Sequence, residues 1–525
     1  MDNYFHLFWF LLISYVFVAC ALKIVFHLWW RPRRIENHFM KQGIIGPKYE
    51  LLLGNFKEIA SLNMRVSTQP MPLSHNIIPR VLSFYHHWKK TYGSMFLVWF
   101  GPTARLTISD PALIREIFVL KSELFEKNES PPQVRKIEGD GLLSLKGQKW
   151  AHHRKIIQPL FHTENLKLMI PMMAKSMEEG LMKWSEKMSN ADKVEIEVSN
   201  WFENIVEDVI ARVTFGSSYK DGKAIFQMQS QQMVHATKAF QKILIPGYRF
   251  LPTRKNRICW RLEKEIRKSL VKLIKNRQTQ KSWCQSDERL SDECPNDLLE
   301  LMINASLKHS ANNKSHAIIT ANDVVEECKT IFFAGKHTTS NLLTWTTVLL
   351  AMHPHWQDQA REEVLRVCGS RDTPTKDHLP NLKTLGMILN ESLRLYPPAV
   401  AIIRRAKTDM QLSGLHIPRG TELLIPILAV HHDPALWCHD AQEFNPARFA
   451  KGVAQAAKHP MAFMPFGLGA RRCIGQNLAV LQARLAVAMI LQRFSFELAP
   501  TYQHAPSVLM MLHPQHGAPI VFRKL

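Results

Sequence analysis

Cysteine is scarce in this sequence, and the cysteines that occur do not form pairs. Eight are found among 525 residues, without CxxC spacing and far below the density of a small disulfide-bonded secreted domain. We therefore expect reduced thiols, most of them inert, so a cysteine inside a distinctive motif needs its own explanation. The eight are Cys20, Cys259, Cys284, Cys294, Cys328, Cys368, Cys438 and Cys473.

Acidic residues are also in deficit. The chain has 45 Asp and Glu against 67 Lys and Arg, which gives a formal net charge of +22. Such a surface attracts acidic proteins, anionic membranes or nucleic acid. Nucleic acid is the weaker interpretation, because the basic residues are spread along the chain and no homeodomain, zinc-finger or single-strand-binding signature accompanies them. We predict no nucleic-acid partner, and a basic docking face for an acidic protein beside a membrane.

One uncharged apolar run near the amino terminus is long enough to cross a bilayer. Residues 4–22 contain no Asp, Glu, Lys or Arg, which is close to the ~20 apolar residues of a transmembrane helix. Trp29 and Trp30 then mark an interface. A cleaved signal peptide is the alternative, but the apolar run is long and no basic segment precedes it. Arg31, Arg33 and Arg34 follow these two tryptophans. By the positive-inside rule, such a basic cluster predicts that the rest of the chain lies on the cytosolic side of the membrane.

Helical periodicity dominates the chain between residues 159 and 352. A polar, punctuated stretch at 278–296 is typical of an exposed loop. Strand-like alternation is limited to residues 96–109 and 414–430. Since repeats and low-complexity tracts are also lacking, the sequence predicts a mainly α fold with small β-sheets, of the α+β class.

One cysteine lies in a distinctive glycine- and arginine-rich segment. Gly469 and Gly475 flank Cys473 and permit a tight loop that a flat ligand can approach closely. Backbone N–H groups at the start of the following helix can point at the sulfur and lower its pKa. Arg471 is placed to pair with a carboxylate of such a ligand. From Phe466 onward the ten residues match F-x-x-G-x-R-x-C-x-G at every fixed position.

This motif resembles the signature of the cytochrome P450 family. The resemblance implies heme b (iron protoporphyrin IX) as cofactor, with Cys473 as the axial ligand of the iron and Phe466, Gly469, Arg471 and Gly475 around the heme. A cysteine thiolate pushes electron density onto iron and favours O–O cleavage. The glycines of the segment do not complete a dinucleotide-binding fingerprint, so electrons come from a protein partner, which the resemblance implies to be NADPH–cytochrome P450 reductase.

A second constellation supports the resemblance. Glu391 and Arg394 are three residues apart on a helical pattern and therefore share one face. A solvated surface pair is the usual outcome of such spacing. Here Arg448 follows in a segment that resembles the family's P-x-R-F motif, with Ala447 where Glu is often found. The resemblance implies a Glu-Arg-Arg triad beneath the heme.

The remaining cofactor residues also come from the resemblance. Trp150 and Arg154 lie one helical turn apart, like the family's W-x-x-x-R, whose side chains meet heme propionates. The histidines between them, His152 and His153, are predicted to lie on the surface. Arg404 occupies the position of another propionate-binding arginine, although the adjacent Arg405 leaves that assignment open.

The segment Ala334-Gly335-Lys336-His337-Thr338-Thr339 resembles the family's oxygen-activating A-G-x-[D/E]-T-T. Ala334 and Gly335 would let the helix kink and leave room for dioxygen. The Thr338 hydroxyl would donate a hydrogen bond during oxygen activation. His337 replaces the usual acid. A histidine can relay protons near neutral pH, or it can leave the relay to water and Thr338.

The resemblance covers almost the whole chain. It implies a cytochrome P450 fold preceded by a single transmembrane helix, with an anchor at residues 4–30, a basic linker containing Gly and Pro at 31–54, and a cytosolic heme-binding monooxygenase domain at 55–525. The implied location is the endoplasmic reticulum membrane, with the catalytic domain facing the cytosol.

Four segments are very similar to the plant hydroxylases that inactivate brassinosteroids by oxidising the side-chain terminus, at C-26. They are residues 333–336, 338–352, 399–407 and 463–475. Candidate pocket segments at 332–334, 399–403 and 508–511 are apolar, as a flat sterol requires. They also suit a gibberellin, cytokinin, terpenoid or fatty acid. Two other classes of function stay open, a hydroperoxide isomerase or dehydratase and a non-catalytic heme protein.

Overall fold

The computed structural model describes residues 2–188, 192–239, 250–286, 297–311, 319–370 and 372–525. These residues are predominantly helical, and the predicted fold class is confirmed. The helices are α1 (Asp2–Val25), α2 (Arg31–Met40), α3 (Phe56–Ser67), α4 (Ile78–Val81), α5 (Ser83–Tyr92), α6 (Pro111–Arg115), α7 (Pro132–Glu138), α8 (Gly147–Ile157), α9 (Thr163–Leu168), α10 (Ile170–Lys187), α11 (Val198–Phe215), α12 (Tyr219–Ala239), α13 (Arg254–Ser286), α14 (Leu298–Ala311), α15 (Ala321–Met352), α16 (Pro354–Cys368), α17 (Lys383–Leu395), α18 (Ile427–His431), α19 (Pro434–Trp437) and α20 (Gln476–Leu491).

The strands are short and form small sheets. They are β1 (Leu97–Phe100), β2 (Thr103–Thr107), β3 (Phe125–Lys127), β4 (Lys193–Glu197), β5 (Ile402–Ala406), β6 (Met410–Leu412), β7 (Leu415–Ile417), β8 (Glu422–Ile425), β9 (Phe494–Leu498), β10 (Pro506–Val508), β11 (Leu512–Pro514) and β12 (Pro519–Lys524). A five-stranded sheet has the order β1-β2-β8-β5-β3, and a three-stranded sheet has the order β4-β12-β9. Two further pairs are β10-β11 and β6-β7.

Two predictions of local structure need correction. We predicted strand-like structure as far as residue 430, but β8 ends at Ile425. Pro426 then precedes α18, because proline cannot donate to the ladder and is compatible with a helix start. The exposed loop was predicted to begin at residue 278, but α13 continues to Ser286. Residues 287–296 of that predicted loop lie outside the described residues.

The amino-terminal helix continues into the body of the protein. A π-helical turn, Phe26–Trp30, joins α1 to α2, and the helix Tyr4–Met40 contains a window of mean hydropathy 2.3, long and apolar enough to cross a membrane. α2 buries Ile35 and Phe39 against the body of the protein. The Tyr49 hydroxyl donates to the Leu28 carbonyl at 2.6 Å. Part of the predicted linker is therefore helical and packed, and the boundaries at residues 30 and 54 stay predictions.

α15 is the central helix of the core. It begins with a capping box in which Thr320 and Asp323 exchange hydrogen bonds, satisfying donors that the first turn leaves free. Residues 339–351 are buried without interruption. Trp345 stacks on Tyr396 with ring centroids 4.4 Å apart. The helix packs against α11, α17 and α20, so its position is fixed on several sides.

Candidate active site

The loop that carries Cys473 is closed by its own backbone. The Cys473 N–H donates to the Phe466 carbonyl at 2.9 Å, and the Arg472 N–H donates to the Gly469 carbonyl at 3.1 Å. Gly469 has φ +66°, and a Cβ there would lie 2.0 Å from the Phe118 carbonyl oxygen. Only glycine fits both the backbone conformation and this close approach.

The Cys473 side chain faces an internal space. Burial in the fold raises the pKa of the Cys473 thiol, and the N–H of Gly475 and the charges of Arg154 and Arg472 act in the opposite direction. Yet the side chain has accessible surface. The sulfur is surrounded by protein, but no protein atoms are packed directly on it. It is therefore available to a ligand held inside the protein.

A stripe of accessible surface also runs along one face of α15. Ile331, Ala334, Gly335 and Thr338 are partly accessible, although the helix is buried immediately afterwards. Their spacing of three and four residues places them on one side of the helix. The Thr338 hydroxyl donates to the Ala334 carbonyl at 2.6 Å. A Cβ on Gly335 would approach Ile210 of α11 to 2.9 Å, so this glycine also permits close helix packing.

His337, whose part in proton relay the sequence leaves open, is also partly accessible. It follows Ala334 by three residues and precedes Thr338, but its Nδ1 lies 3.5 Å from Glu203 Oε1 of α11. The preceding residue, Lys336, also points to α11, and its Nζ lies 2.6 Å from Glu207 Oε2. Glu203 and Glu207 were not predicted as site residues, because nothing in the spacing of α11 indicated which residues of α15 it would contact.

Lys127, Arg404 and Arg471 form a half-buried cationic cluster. Burial, and then the charge of Arg471, lower the pKa of Arg404 to about 10. Burial also lowers the pKa of Lys127, with Glu138 opposing and both arginines adding to the effect. Among the described residues, no carboxylate pairs with Arg404 or Arg471, and their guanidinium groups donate only to carbonyls, those of Ile403 and Leu145.

The structure distinguishes Arg404 from Arg405. Successive residues of β5 point to opposite faces of the sheet. Arg404 lies over the Phe118 ring at 4.7 Å and close to Arg471, whereas Arg405 lies beside Gly420. The structure therefore places Arg404 with the predicted cofactor residues.

The W-x-x-x-R pair lies next to the cysteine loop. The Arg471 guanidinium sits 4.3 Å from the centroid of a Trp150 ring. Arg154 Nη1 donates to the Arg472 carbonyl at 2.9 Å. The prediction that both intervening histidines lie on the surface is wrong for His153, which is 1% exposed. Its Nδ1 lies 2.8 Å from Glu327 Oε1, and a carboxylate partner makes its burial tolerable. His152 is half-buried.

The three residues of the predicted triad meet in the core. Arg394 Nη2 and Nε each lie 2.7 Å from an oxygen of Glu391. Arg448 Nε donates to Glu391 Oε1 at 3.1 Å, and Arg448 Nη2 donates to Asp440 Oδ2 at 2.9 Å. The Glu391 and Arg394 side chains are completely buried. Backbone carbonyls accept the remaining Arg394 donors.

These residues fit a heme. The accessible, desolvated thiol suits an iron ligand, and two arginines that no carboxylate contacts among the described residues suit the two propionates. Of the candidate pocket segments, 399–403 and 508–511 keep accessible surface. Phe332 and Phe333 do not, and Phe332 instead stacks on Phe226 with ring centroids 4.1 Å apart.

Comparison with known proteins gives a consistent result. The sequence model of the family described as cytochrome P450 matches residues 73–518. The chain is 62% identical to Cytochrome P450 734A1 of Arabidopsis thaliana, covering 98% of this chain and 96% of that protein. It is 59% identical to Cytochrome P450 734A6 of Oryza sativa subsp. japonica, covering 96% and 94%. It is 44% identical to Cytochrome P450 CYP72A616 of Paris polyphylla, covering 95% of each. The chain belongs to the cytochrome P450 family of heme b monooxygenases, which use dioxygen, a redox partner and apolar substrates.

Proposed function

We propose that this monooxygenase hydroxylates brassinosteroids at the side-chain terminus, C-26, and thereby inactivates the hormone. The proposal is supported by the similarity of residues 333–336, 338–352, 399–407 and 463–475 to the brassinosteroid-inactivating hydroxylases. The relatives fall into two groups by identity. Those named 734A are 50% to 62% identical to the chain, and those named 72A are 40% to 44% identical. Oxidation of a gibberellin, cytokinin, terpenoid or fatty acid is the alternative.

The observation that carries the proposed chemistry is the accessible thiol of Cys473 inside the fold. Cys473 would be the axial ligand, with its sulfur held by the N–H of Gly475. The heme, when bound, supplies the iron that activates dioxygen for insertion of one oxygen atom into an unactivated C–H bond. Phe466 and Gly469 would hold the loop closed beneath it.

The propionates of the heme would neutralise the half-buried cations. Arg404 and Arg471 would donate to them, since their guanidinium groups have no carboxylate partner among the described residues. Trp150 would support Arg471 through its ring face. Arg154 would position the cysteine loop, because it already donates to the Arg472 carbonyl. Glu391, Arg394 and Arg448 would hold the framework in place without touching the cofactor.

On the oxygen side, Thr338 would be the proton-delivering group. Its hydroxyl bonds to the Ala334 carbonyl, so the hydrogen can be redirected by rotation about one side-chain bond while the helix stays intact. Gly335 and Ala334 would leave space beside it. His337 would act indirectly, through water, because its ring is directed toward Glu203 of α11.

The substrate would lie against apolar side chains that keep accessible surface. Residues 399–403 and 508–511 provide such surface, and an apolar wall with few polar groups suits a flat sterol. The sterol side chain would then reach the oxygen side of the heme. Electrons would come from NADPH–cytochrome P450 reductase, and α1 would anchor the enzyme in the endoplasmic reticulum membrane with the catalytic domain in the cytosol.

Reconstitution with a plant NADPH–cytochrome P450 reductase tests the proposed activity. Brassinosteroids, gibberellins, cytokinins and fatty acids are supplied separately, and products are identified by mass and fragmentation. We expect brassinosteroids to gain one oxygen at the side-chain end. Unchanged brassinosteroids alongside oxygenation of another class would contradict the substrate assignment.

The heme ligand is tested by spectroscopy of the reduced, carbon monoxide-treated protein. We expect the red-shifted Soret band of thiolate coordination in the wild-type protein and its loss in Cys473→Ala. Cys259→Ala is the matched control, since Cys259 is a half-buried thiol on α13. If Cys473→Ala kept the band, the assignment of the ligand would be wrong.

A further inference from the structure

One face of α2 carries an exposed basic row. The row runs from Trp30, just before α2, to Lys41, just after it. Its members alternate at intervals of three and one residues, which places them on a single helix face. Arg33, Arg34 and Lys41 are exposed, and the opposite face of the helix is buried in the catalytic body through Ile35 and Phe39. The row consists of Trp30, Arg33, Arg34, Asn37, His38 and Lys41.

These side chains, together with Trp29, line an open cavity of ≈ 640 Å³. The Arg33 guanidinium stacks on the Trp29 ring at 3.8 Å, which orients its donors. No carboxylate lines the cavity. The single acid of α2, Glu36, instead accepts from the Tyr49 backbone N–H at 3.2 Å. The positive charges of the row are therefore not neutralised by a carboxylate of α2.

The cavity lies immediately after the apolar helix α1. The candidate membrane segment of that helix has none of its surface buried against the protein. Tryptophans such as Trp29 and Trp30 favour the level of the lipid headgroups at a membrane boundary. The basic row that follows therefore lies at the depth where the phosphates of one leaflet are found.

We propose that this face of α2 binds the headgroup phosphate of an anionic phospholipid in the leaflet beside the catalytic domain. The site rests on the proposed membrane anchoring of α1. Arg33 and Arg34 offer forked donors that match phosphate oxygens, and Lys41 adds a point charge about two turns further on. Trp29 and Trp30 pack against the glycerol and upper acyl region of the same lipid.

Lipid binding would also restrict the orientation of the enzyme. α2 is packed against the body on one face and would be held by headgroups on the other. A rotation of the helix about its own axis would move the basic row away from the phosphates. The site therefore couples the direction in which the catalytic domain faces to the charge of the membrane.

The test uses the full-length holoenzyme in phosphatidylcholine bilayers with a minority of spin-labelled lipid, either phosphatidylserine or phosphatidylcholine. The fraction of labelled lipid immobilised by the protein is measured by electron paramagnetic resonance. Each basic residue near an anionic surface favours the anionic lipid by about fivefold at low salt. We expect wild-type protein to prefer phosphatidylserine several-fold, and Arg33→Gln/Arg34→Gln/Lys41→Gln to bind both lipids nearly equally.

The matched control removes the same three charges from another helix. Lys175, Lys183 and Lys187 are exposed on α10, and their replacement by Gln should leave the lipid preference unchanged. Equal loss in both variants, or no preference in the wild-type protein, would overturn the proposal. Release of the labelled lipid by inorganic phosphate at constant ionic strength would also overturn it in favour of a simple anion site. Since this measurement uses no steroid, a wrong substrate assignment would leave its outcome unaffected.

Discussion

Two arginine clusters of this protein are both largely removed from water, but only one of them is paired with carboxylates. In the cluster at the carboxyl end of α17, Arg394 and Arg448 share Glu391. In the cluster beside the cysteine loop, Arg404 and Arg471 have no carboxylate partner within the described chain. Burying an arginine is tolerable when its charge is paired. The first cluster is paired within the polypeptide. In the second, among the described residues, only the more distant charge of Glu126 acts on Arg471, so the cluster has room for an anion.

The pKa shifts express the same difference. Burial lowers the pKa of Arg448, but the charges of Glu391 and Asp440 outweigh it and the net pKa is raised. For Arg404, burial and the neighbouring Arg471 act together, and the pKa falls to about 10. Both arginines are thus desolvated, and only the partners differ. A desolvated cation without a carboxylate partner therefore indicates a ligand site, whereas a paired cation indicates a structural role.

Removing the acid of the paired cluster should have the largest effect. Glu391→Gln would leave Arg394 buried without a carboxylate and Arg448 paired with Asp440 alone. We expect the free energy of unfolding to fall by about 3–5 kcal/mol, the usual result of breaking a buried ion pair. Thermal or denaturant unfolding followed by circular dichroism measures it. Asp358→Asn, which breaks the pair of the exposed Asp358 carboxylate with Arg361, should change it by less than about 1 kcal/mol. Equal effects in the two variants would contradict the distinction.

The contrast between framework and site can also be drawn between two threonines of α15. Thr338 donates to the Ala334 carbonyl at 2.6 Å, and Thr344 donates to the Ser340 carbonyl at 2.8 Å. Thr338 lies on the accessible stripe, and Thr344 is completely buried. We expect Thr338→Ala to lower coupled product formation by about 10²-fold, as loss of a general acid does, with excess hydrogen peroxide and little loss of stability.

Thr344→Ala is the matched control for that variant. It loses the same type of local hydrogen bond, so we expect a loss of stability of about 1 kcal/mol and normal coupling of NADPH consumption to product. Coupling is measured as product formed for each NADPH oxidised. Unchanged coupling in Thr338→Ala, without extra peroxide, would show that the accessible stripe is not the oxygen-activating face.

Replacing a cation of the cluster beside the cysteine loop should weaken cofactor binding and leave the framework intact. Arg404→Met would remove a charge-assisted hydrogen bond to a propionate, worth about 1.5–3 kcal/mol. We expect heme transfer to an excess of apomyoglobin to accelerate by about tenfold or more, with unchanged helical content. Arg405→Met, on the other face of β5, should lose heme at the wild-type rate. Faster heme loss from Arg405→Met instead would reverse the assignment.

The residues that could be predicted from sequence are those whose motifs encode a local geometry. Glycines around Cys473 and the spacing of Glu391 and Arg394 carry such information. Contacts between helices far apart in the chain could not be predicted. Neither His153 with Glu327 nor His337 with Glu203 has any spacing signal, because each depends on how α15 packs against its neighbours. Strand alternation places Arg404 and Arg405 on opposite faces of β5, but only the contacts of Arg404 with Phe118 and Arg471 show which of them faces the cysteine loop.

A third buried cluster has polar groups but no charge, and its contribution to stability depends on pH. His75 Nδ1 lies 3.0 Å from the Tyr396 hydroxyl, and His504 Nε2 lies 3.2 Å from the same hydroxyl. Burial lowers the pKa of His75 to about 3, with His353, His504 and Arg394 adding to the effect. Burial also lowers the pKa of His504 to about 4, opposed by the Ser74 carbonyl and supported by Arg80.

The sign of the pH dependence follows from these shifts. Both histidines stay neutral in the folded protein below pH ~6.5, where the unfolded chain takes up protons. Their contribution to stability is therefore complete above pH ~6.5 and is lost as the pH falls toward the folded pKa values, by up to about 1.4 kcal/mol per pH unit for each histidine. We expect unfolding measured at intervals from pH 7 to pH 5 to show this decline, and His504→Gln to reduce its slope. A slope unaffected by His504→Gln would mean that the charge-free cluster does not respond to protons, and that the decline arises elsewhere in the protein.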